Sequence, residues 1–319
     1  MRDLILELSR ALRAHVHPFL GSHAGRAHIQ AGAGGDVTFE IDQRAETFLE
    51  EFLQRNAPDV AFYSEDRGLV WTRAAPPDHV LVVDPIDGTR PAMAGLESCC
   101  VSVACARWKD GAGPTMGDVD CGCVIEIKSG TEFLAERGRG LEIRNGSGTR
   151  GEVALSANAD VSRMFWTFGF RGRPAETLMI VLGELTDASS VGGAVFDLGS
   201  ATFDMTRLVT GQLDAYVDVG TRMIEDVPAV RPEFERLGGG AVLNNSPYDL
   251  AAAALCLEEA GAVVTDAYGE PLGPRRLLGS GHDFQMSCVA AANPVLHAKV
   301  LELLDRGFGR LAARVGESR

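Results

Sequence analysis

The sequence predicts an α+β first half, residues 1–150, followed by an α/β second half, residues 151–319. Three observations carry this: two helix-period segments open the chain, a string of strand-like segments follows, and strands and helices alternate beyond that. Residues 4–20 hold apolar positions at helical spacing. Asp3, Glu7, Arg10 and Arg13 interrupt any continuous apolar run, so the segment reads as an amphipathic helix and not a signal peptide. A Gly/Ala-rich break from Gly21 to Gly35 reads as a loop. From Asp42 a second helix follows, with Ala45, Phe48, Leu49, Phe52 and Leu53 on one stripe, ended by Pro58. Val80–Val83 is a buried strand tipped by Asp84, and Cys99–Ala106 is another. Val119–Ile127 and Thr131–Ala135 flank a Ser129-Gly130 turn and form a hairpin.

The polar, small-residue segment Thr149–Asp160 is the expected domain junction. Beyond it come a helix over Gly199–Thr210, a strand over Asp214–Val217, a helix over Leu250–Ala260 opened by Asp249, a strand over Ala262–Thr265 and a helix from Pro294 to Leu304. Thr221–Gly240 reads as a charge-dense irregular stretch.

A formal net charge of −14 over 319 residues argues against nucleic acid or an anionic membrane as partner. It allows a small phosphorylated metabolite if cations bridge carboxylates and phosphate. The longest apolar run, Leu250–Leu257, is too short to span a bilayer. The seven cysteines (99, 100, 105, 121, 123, 256 and 288) are odd in number and sit in apolar contexts, which suggests reduced core thiols in a cytoplasmic protein. Cys121-Gly-Cys123 has no second pair at zinc-ligand spacing. His15, His17, His23 and His28 cluster near the N-terminus and are assigned no role.

The most informative stretch is Val80-Leu-Val-Val-Asp84-Pro85-Ile86-Asp87-Gly88-Thr89. A buried strand delivers two aspartates three positions apart, and Pro85 restrains the turn between them so that both can converge. Gly88 and Thr89 then offer backbone N–H groups to an anion. Hard carboxylates beside an anion cradle suit Mg²⁺ and phosphate. Tyr63-Ser64-Glu65-Asp66 adds two carboxylates at a strand end, and Tyr248-Asp249 opens a helix, where Asp249 taken alone reads by default as a helix cap.

Taken in order, these pieces resemble the inositol monophosphatase-like superfamily of metal-dependent, lithium-sensitive sugar and inositol phosphatases. The matching segments are Asp36-Val-Thr-x-x-x-Asp42, Ser64-Glu65-Asp66 for the usual Gly-Glu-Glu, Asp84-Pro-Ile-Asp-Gly-Thr89, Asp214-Ala-Tyr216, and Asp249 with Glu259-Ala-Gly-Ala-Val-Val-Thr-Asp266. The resemblance implies a layered αβαβα sandwich and two to three Mg²⁺ ions. It implies Glu65, Asp84 and the Ile86 carbonyl around the first ion, Asp84, Asp87 and Asp249 around the second, and Glu65 with water around a weaker third. Thr89, with Asp42 behind it, would orient the attacking water, and the Gly88 and Thr89 N–H groups would hold phosphate. Asp218 would be a substrate-facing acid and Ser200-Ala201 a backbone contact to the sugar ring. A homodimer is common in the family.

Three departures stand out. Tyr248 replaces the family's tryptophan before Asp249. Arg90-Pro91-Ala92 follows Asp-Gly-Thr, where Arg90 is either a second anion contact or solvent-facing. An insertion at about 221–247 separates Asp218 from Asp249 and reads as a lid or specificity element, or else an oligomer contact or disordered excursion. The expected function is hydrolysis of a small polyol or sugar phosphate by metal-activated water. Fructose-1,6-bisphosphatase, nucleotide-sulfate 3′-phosphatase and histidinol-phosphatase activities are sibling readings. A non-catalytic metal- and phosphate-binding module is the reading from another class.

Overall fold

The structure, a computed structural model, describes residues 1–22, 28–31, 37–71 and 77–317. The loop expected at Gly21–Gly35, His23 and the Asp36 that begins the first motif lie wholly or partly outside the described residues.

Two amphipathic helices form the first layer. Helix α1 (Arg2–Val16) buries Ile5, Leu8, Leu12 and Val16. A short antiparallel ribbon of β1 (His28–Ala31) and β2 (Val37–Phe39) leads into α2 (Glu40–Asn56), which buries Ile41, Ala45, Leu49, Phe52 and Leu53. Both helices cover one face of the second layer, packing on Leu81, Val83, Val101, Val103 and Ile125.

That layer contains β3 (Ala61–Ser64), β4 (Gly68–Val70), β5 (His79–Asp87), β6 (Cys100–Arg107), β7 (Val119–Glu126), β8 (Glu132–Glu136), β9 (Gly140–Arg144) and β10 (Arg150–Gly151). They run in the order β10-β9-β8-β7-β6-β5-β3-β4, with a six-residue helix α3 (Thr89–Ala94) directly after β5. Only the β3–β5 pair is parallel among these neighbours.

The second half supplies β11 (Phe165–Phe168), α4 (Ala175–Ser189), β12 (Ala194–Phe196), α5 (Ala201–Val209) and β13 (Ala215–Asp218). It continues with α6 (Gly220–Asp226), α7 (Arg231–Leu237), α8 (Pro247–Ala260), β14 (Val263–Thr265), β15 (Cys288–Ala291) and α9 (Pro294–Glu317). The second sheet has the order β12-β11-β13-β15-β14. Helices α5 and α8 lie between the two sheets, and every residue from Leu250 to Leu257 is buried, as expected of a helix apolar on all sides. Its alanines allow close approach: a Cβ on Gly122 of β7 would stand 3.1 Å from the Ala252 Cα. Helices α4 and α9 cover the outer face of the second sheet. Leu296, Val300, Leu304, Phe308 and Leu311 of α9 are buried there, at about 1.5–3 kcal/mol each for large apolar side chains. The result is the expected αβαβα layering.

Two expectations need correction. Thr221–Gly240 is not irregular: α6, a 3₁₀ turn at Pro228–Val230 and α7 fill it. Met223, Ile224, Val227, Val230 and Phe234 are buried against the outer core, but interspersed charges and two prolines at helix starts hide their helical spacing. The last helix runs beyond Leu304 to Glu317: Phe308 and Leu311 continue its buried stripe, and Arg306 and Arg310 between them pair with Glu184 of α4. The cysteines are all buried and unbridged. Among the described residues no helix is long and apolar enough to cross a membrane.

Candidate active site

In a regular strand, residues three apart point to opposite faces. Val80 and Val82 face α8, whereas Leu81 and Val83 face α1 and α2, so Asp84 falls on the α8 side and Asp87 would fall on the other. The strand avoids this with a bulge: Asp84 pairs with Ser102 and Asp87 with Cys100, three residues opposite two. The extra residue returns Asp87 to the side of Asp84. Pro85, which has no N–H to donate, sits inside the bulge. The Ile86 N–H turns back to Asp84 Oδ1 at 3.0 Å.

Asp249 enters from α8, more than 160 residues away in sequence. It occupies the third position of the helix and accepts from the Ser246 N–H through Oδ2 at 2.6 Å, so the capping role is real. It is also a member of the acidic group: Asp84, Asp87 and Asp249 each offer a carboxylate oxygen within 4.8 Å of the others. Asp84 and Asp87 are only 2% and 7% exposed. Asp87 Oδ2 accepts from Ser200 Oγ at 2.7 Å and from the Thr202 N–H at 2.6 Å, which ties it to the start of α5.

Burial pushes all three carboxyls upward, and their neighbours' charges add to the shift in Asp84 and Asp249. Asp249 is pushed up to about 8, by burial first and Asp87 second, against the Ser246 N–H and the cationic Arg171 and Arg173. Such a group is stable only with protons or with a cation among its oxygens. An all-oxygen, all-carboxylate donor set suits a hard divalent ion.

Glu65 stands in the turn after β3, half-buried on the wall of the same cavity, but outside the group of three that meets within 4.8 Å. Burial raises its carboxyl, with Asp84 and Asp249 as the next contributors. Its turn is held from behind by Glu46 of α2, which accepts from Ser64 Oγ at 2.7 Å and the Asp66 N–H at 3.2 Å. Asp42 accepts from the Phe39 N–H at 3.0 Å, and Thr89 Oγ1 lies 2.9 Å from Asp42 Oδ1 and 3.2 Å from the Ile86 carbonyl. Burial pushes Asp42 up to about 7.

Gly88 has φ +88°, and a Cβ there would stand 2.5 Å from the Ser98 carbonyl and 2.9 Å from Ser200 Cβ, so only glycine fits. Its N–H helps hold Asp87 in the charged form. Arg90 is exposed, with its guanidinium 5.6 Å from the Phe39 ring centroid, and does not line the cavity.

The cavity has a volume of about 100 Å³ and opens to solvent. Glu65, Asp87, Asp249, Ser200, Ala201 and Asp218 all line it. Asp218 is fully buried, paired with Arg173 Nη2, and accepts from the Gly220 N–H through Oδ1 at 2.9 Å. Among the wall residues that were not anticipated individually are Arg171, Arg173, Asn244 and Gln285. The cluster Arg171-Gly172-Arg173-Pro174 was a legible signal for the first two, as cations beside a turn in an acidic chain. Asn244 and Gln285 carry no such signal.

A family model described as the inositol monophosphatase family matches residues 3–307. The chain is 26% identical over 310 residues to the fructose-1,6-bisphosphatase/inositol-1-monophosphatase of Methanothermobacter thermautotrophicus, covering 95% of this chain and 96% of that one. It is 25% identical over 247 residues to the Nus factor SuhB of Pseudomonas aeruginosa, covering 77% of each. Its fold matches the Thermotoga maritima IMPase with a TM-score of 0.67 at 20% identity, over 98% of this chain and 100% of that one. The bulged aspartate pair, the distant aspartate that joins it and the match along nearly the whole length agree, and the chain belongs to the inositol monophosphatase family and is a phosphatase acting on phosphoric monoesters.

Proposed function

We propose that the protein hydrolyses the phosphomonoester of a small polyol or sugar, with Mg²⁺ held by Asp84, Asp87 and Asp249 and with Glu65 and the Ile86 carbonyl completing a site for two to three ions. The observation that carries this reading is the meeting of three carboxylates from two distant segments within 4.8 Å, two of them almost fully buried. Mg²⁺ bound there supplies charge neutralisation at the phosphoryl oxygens and acidifies water.

The chain's own groups do the rest. The Thr89 hydroxyl donates a hydrogen bond to Asp42 or to the Ile86 carbonyl, which leaves its oxygen lone pairs to accept from a water and aim it. The Thr89 N–H would face the phosphate beside Gly88, whose missing Cβ lets the turn pack closely on Ser98 and Ser200. Ser200 and Thr202 fix the Asp87 carboxylate and so set the side on which the phosphate lies. The cavity beyond Ser200 and Ala201 receives the leaving alcohol, with Asp218 and Arg173 as a neutral pair at its base. Burial of the carboxylates would strengthen their hold on the cations, whose positive charge then faces the phosphate.

The test is phosphate release from myo-inositol 1-phosphate, fructose 1,6-bisphosphate, 3′-phosphoadenosine 5′-phosphate and histidinol phosphate, with Mg²⁺ and after chelation. Release that needs Mg²⁺ and is lost in Asp87→Asn supports the reading. Release unaffected by chelator refutes the metal assignment. The name of the Methanothermobacter relative makes the first two substrates the leading pair.

A further inference from the structure

Residues 221–247 start three residues after Asp218 and return to the cavity at Val242–Ser246, yet their middle is not a cover. Met223, Ile224, Val227, Val230 and Phe234 are locked into the outer core beside α4 and α9, and Thr177 of α4 donates to Glu233 at 2.9 Å. A lid must leave its seat at small cost, and a segment with five buried apolar anchors does not. What reaches the cavity is the return stretch Val242–Ser246, pinned from three sides. Arg173 Nη1 donates to the Leu243 carbonyl at 2.8 Å, Gln285 Nε2 to the Val242 carbonyl at 2.6 Å, and Asn245 Nδ2 to Tyr216 Oη at 2.8 Å.

Within this fixed wall, Asn244 is 7% exposed, and neither its Nδ2 nor its Oδ1 has a partner among the described residues. Gln285, 6% exposed, spends its Nε2 on Val242 and leaves Oε1 without a partner. Buried polar atoms are normally satisfied, and unsatisfied ones call for an explanation. Arg173 Nε is likewise without a partner, and it and Asn244 Oδ1 lie near Gly220, where a Cβ would stand 3.0 Å and 2.2 Å from them. Asn244 and Gln285 both line the cavity that also holds Asp87 and Asp249, and between them they carry an unpartnered donor, Asn244 Nδ2, and an unpartnered acceptor, Gln285 Oε1.

We propose that Asn244, carried by the 221–247 insertion and matched with Gln285, is a specificity-determining residue that reads two hydroxyls of the leaving alcohol. One hydroxyl accepts from Asn244 Nδ2 and the other donates to Gln285 Oε1. The inference rests on the phosphatase reading above. It assigns the insertion the role of a rigid wall. An alcohol without hydroxyls strands both groups, and a site built to bond a hydroxyl discriminates strongly against an analogue lacking it.

The experiment compares kcat/KM for myo-inositol 1-phosphate and fructose 1,6-bisphosphate with kcat/KM for p-nitrophenyl phosphate, whose leaving group has no further hydroxyl. Wild type prefers at least one of the hydroxylated esters. Asn244→Leu, close in volume but without donor or acceptor, lowers the ratio of hydroxylated to p-nitrophenyl ester at least tenfold. Asn244→Ser, which keeps a donor and an acceptor at shorter reach, lowers it about threefold or more and covers the case in which the leucine variant does not fold. Equal losses on both classes, an unchanged ratio, or a wild type that shows no preference for either hydroxylated ester overturns the inference while leaving the phosphatase reading intact. No turnover of any of the three esters by wild type with Mg²⁺ overturns both.

Discussion

Asp87→Asn changes a charge and almost nothing else, because the amide can present one oxygen to Ser200 Oγ and to the Thr202 N–H as the carboxylate does. Its effects on stability and on activity are expected to have opposite signs. Two unit charges 4.8 Å apart, the outer limit for this group, repel by about 3.5 kcal/mol at an effective dielectric constant of 20. Protonation relieves part of that repulsion: Asp249, up at about 8, is largely neutral at pH 7 and charged at pH 9. Without metal, the variant is therefore more stable than wild type by about 3 kcal/mol at pH 9. The gain shrinks to under about 1 kcal/mol near pH 5. For a chain of this size the larger figure is roughly 4 °C in Tm. With Mg²⁺ the order reverses, since wild type gains the binding energy of the ion and the variant has lost a ligand. Turnover falls by about a thousandfold or more. The assay is thermal unfolding at pH 5, 7 and 9 in chelator and in Mg²⁺, beside phosphate release. A variant less stable than wild type in chelator at pH 9, or one that Mg²⁺ stabilises as much as wild type, refutes the reasoning.

Gly88→Ala forces a residue with φ +88° into the left-handed region, at about 1–2 kcal/mol, and drives its Cβ into the Ser98 carbonyl and Ser200. Because Ser200 holds Asp87, Mg²⁺ affinity measured by calorimetry falls together with Tm; loss of Tm alone counts against the coupling. Glu46 is pushed up to about 7 by burial, above an unfolded value near 4.3. A carboxyl raised in this way leaves stability complete below about pH 4 and removes it as pH rises to about 7. Glu46→Gln therefore loses less Tm between pH 5 and 8 than wild type does, by several degrees at fixed metal concentration, and parallel profiles contradict this. Phe234→Ala opens a cavity in the outer core and destabilises by about 3–5 kcal/mol in denaturant unfolding; a near-neutral result shows that the insertion is loosely attached after all.

Much of the site was legible because metal chemistry restricts residue type. Two aspartates, a proline and a glycine after a buried strand admit few other uses, and the order of the remaining acidic pieces identified the family. The layers were legible where burial is one-sided: α1 and α2 show their stripes, and α8 shows a continuous apolar run because both of its sides are covered. The order within the insertion was not legible, because its five anchors are spaced among Arg, Glu and Asp residues that a linear reading weighs equally.

By itself the sequence offered the candidate acid set and determined the strand–turn–helix grammar around Asp84-Pro-Ile-Asp-Gly-Thr89 and the family to which the chain belongs. Only tertiary structure decided that Asp84 and Asp87 share a side, since that depends on a bulge against β6, and that Asp249 joins them across the helix layer. It alone decided that Arg173 is neutralised by Asp218 while Asn244 and Gln285 keep groups to offer. The physical reason is the same in each case. Which polar groups are satisfied and which are left over depends on neighbours that are remote in the chain, and no local pattern records them.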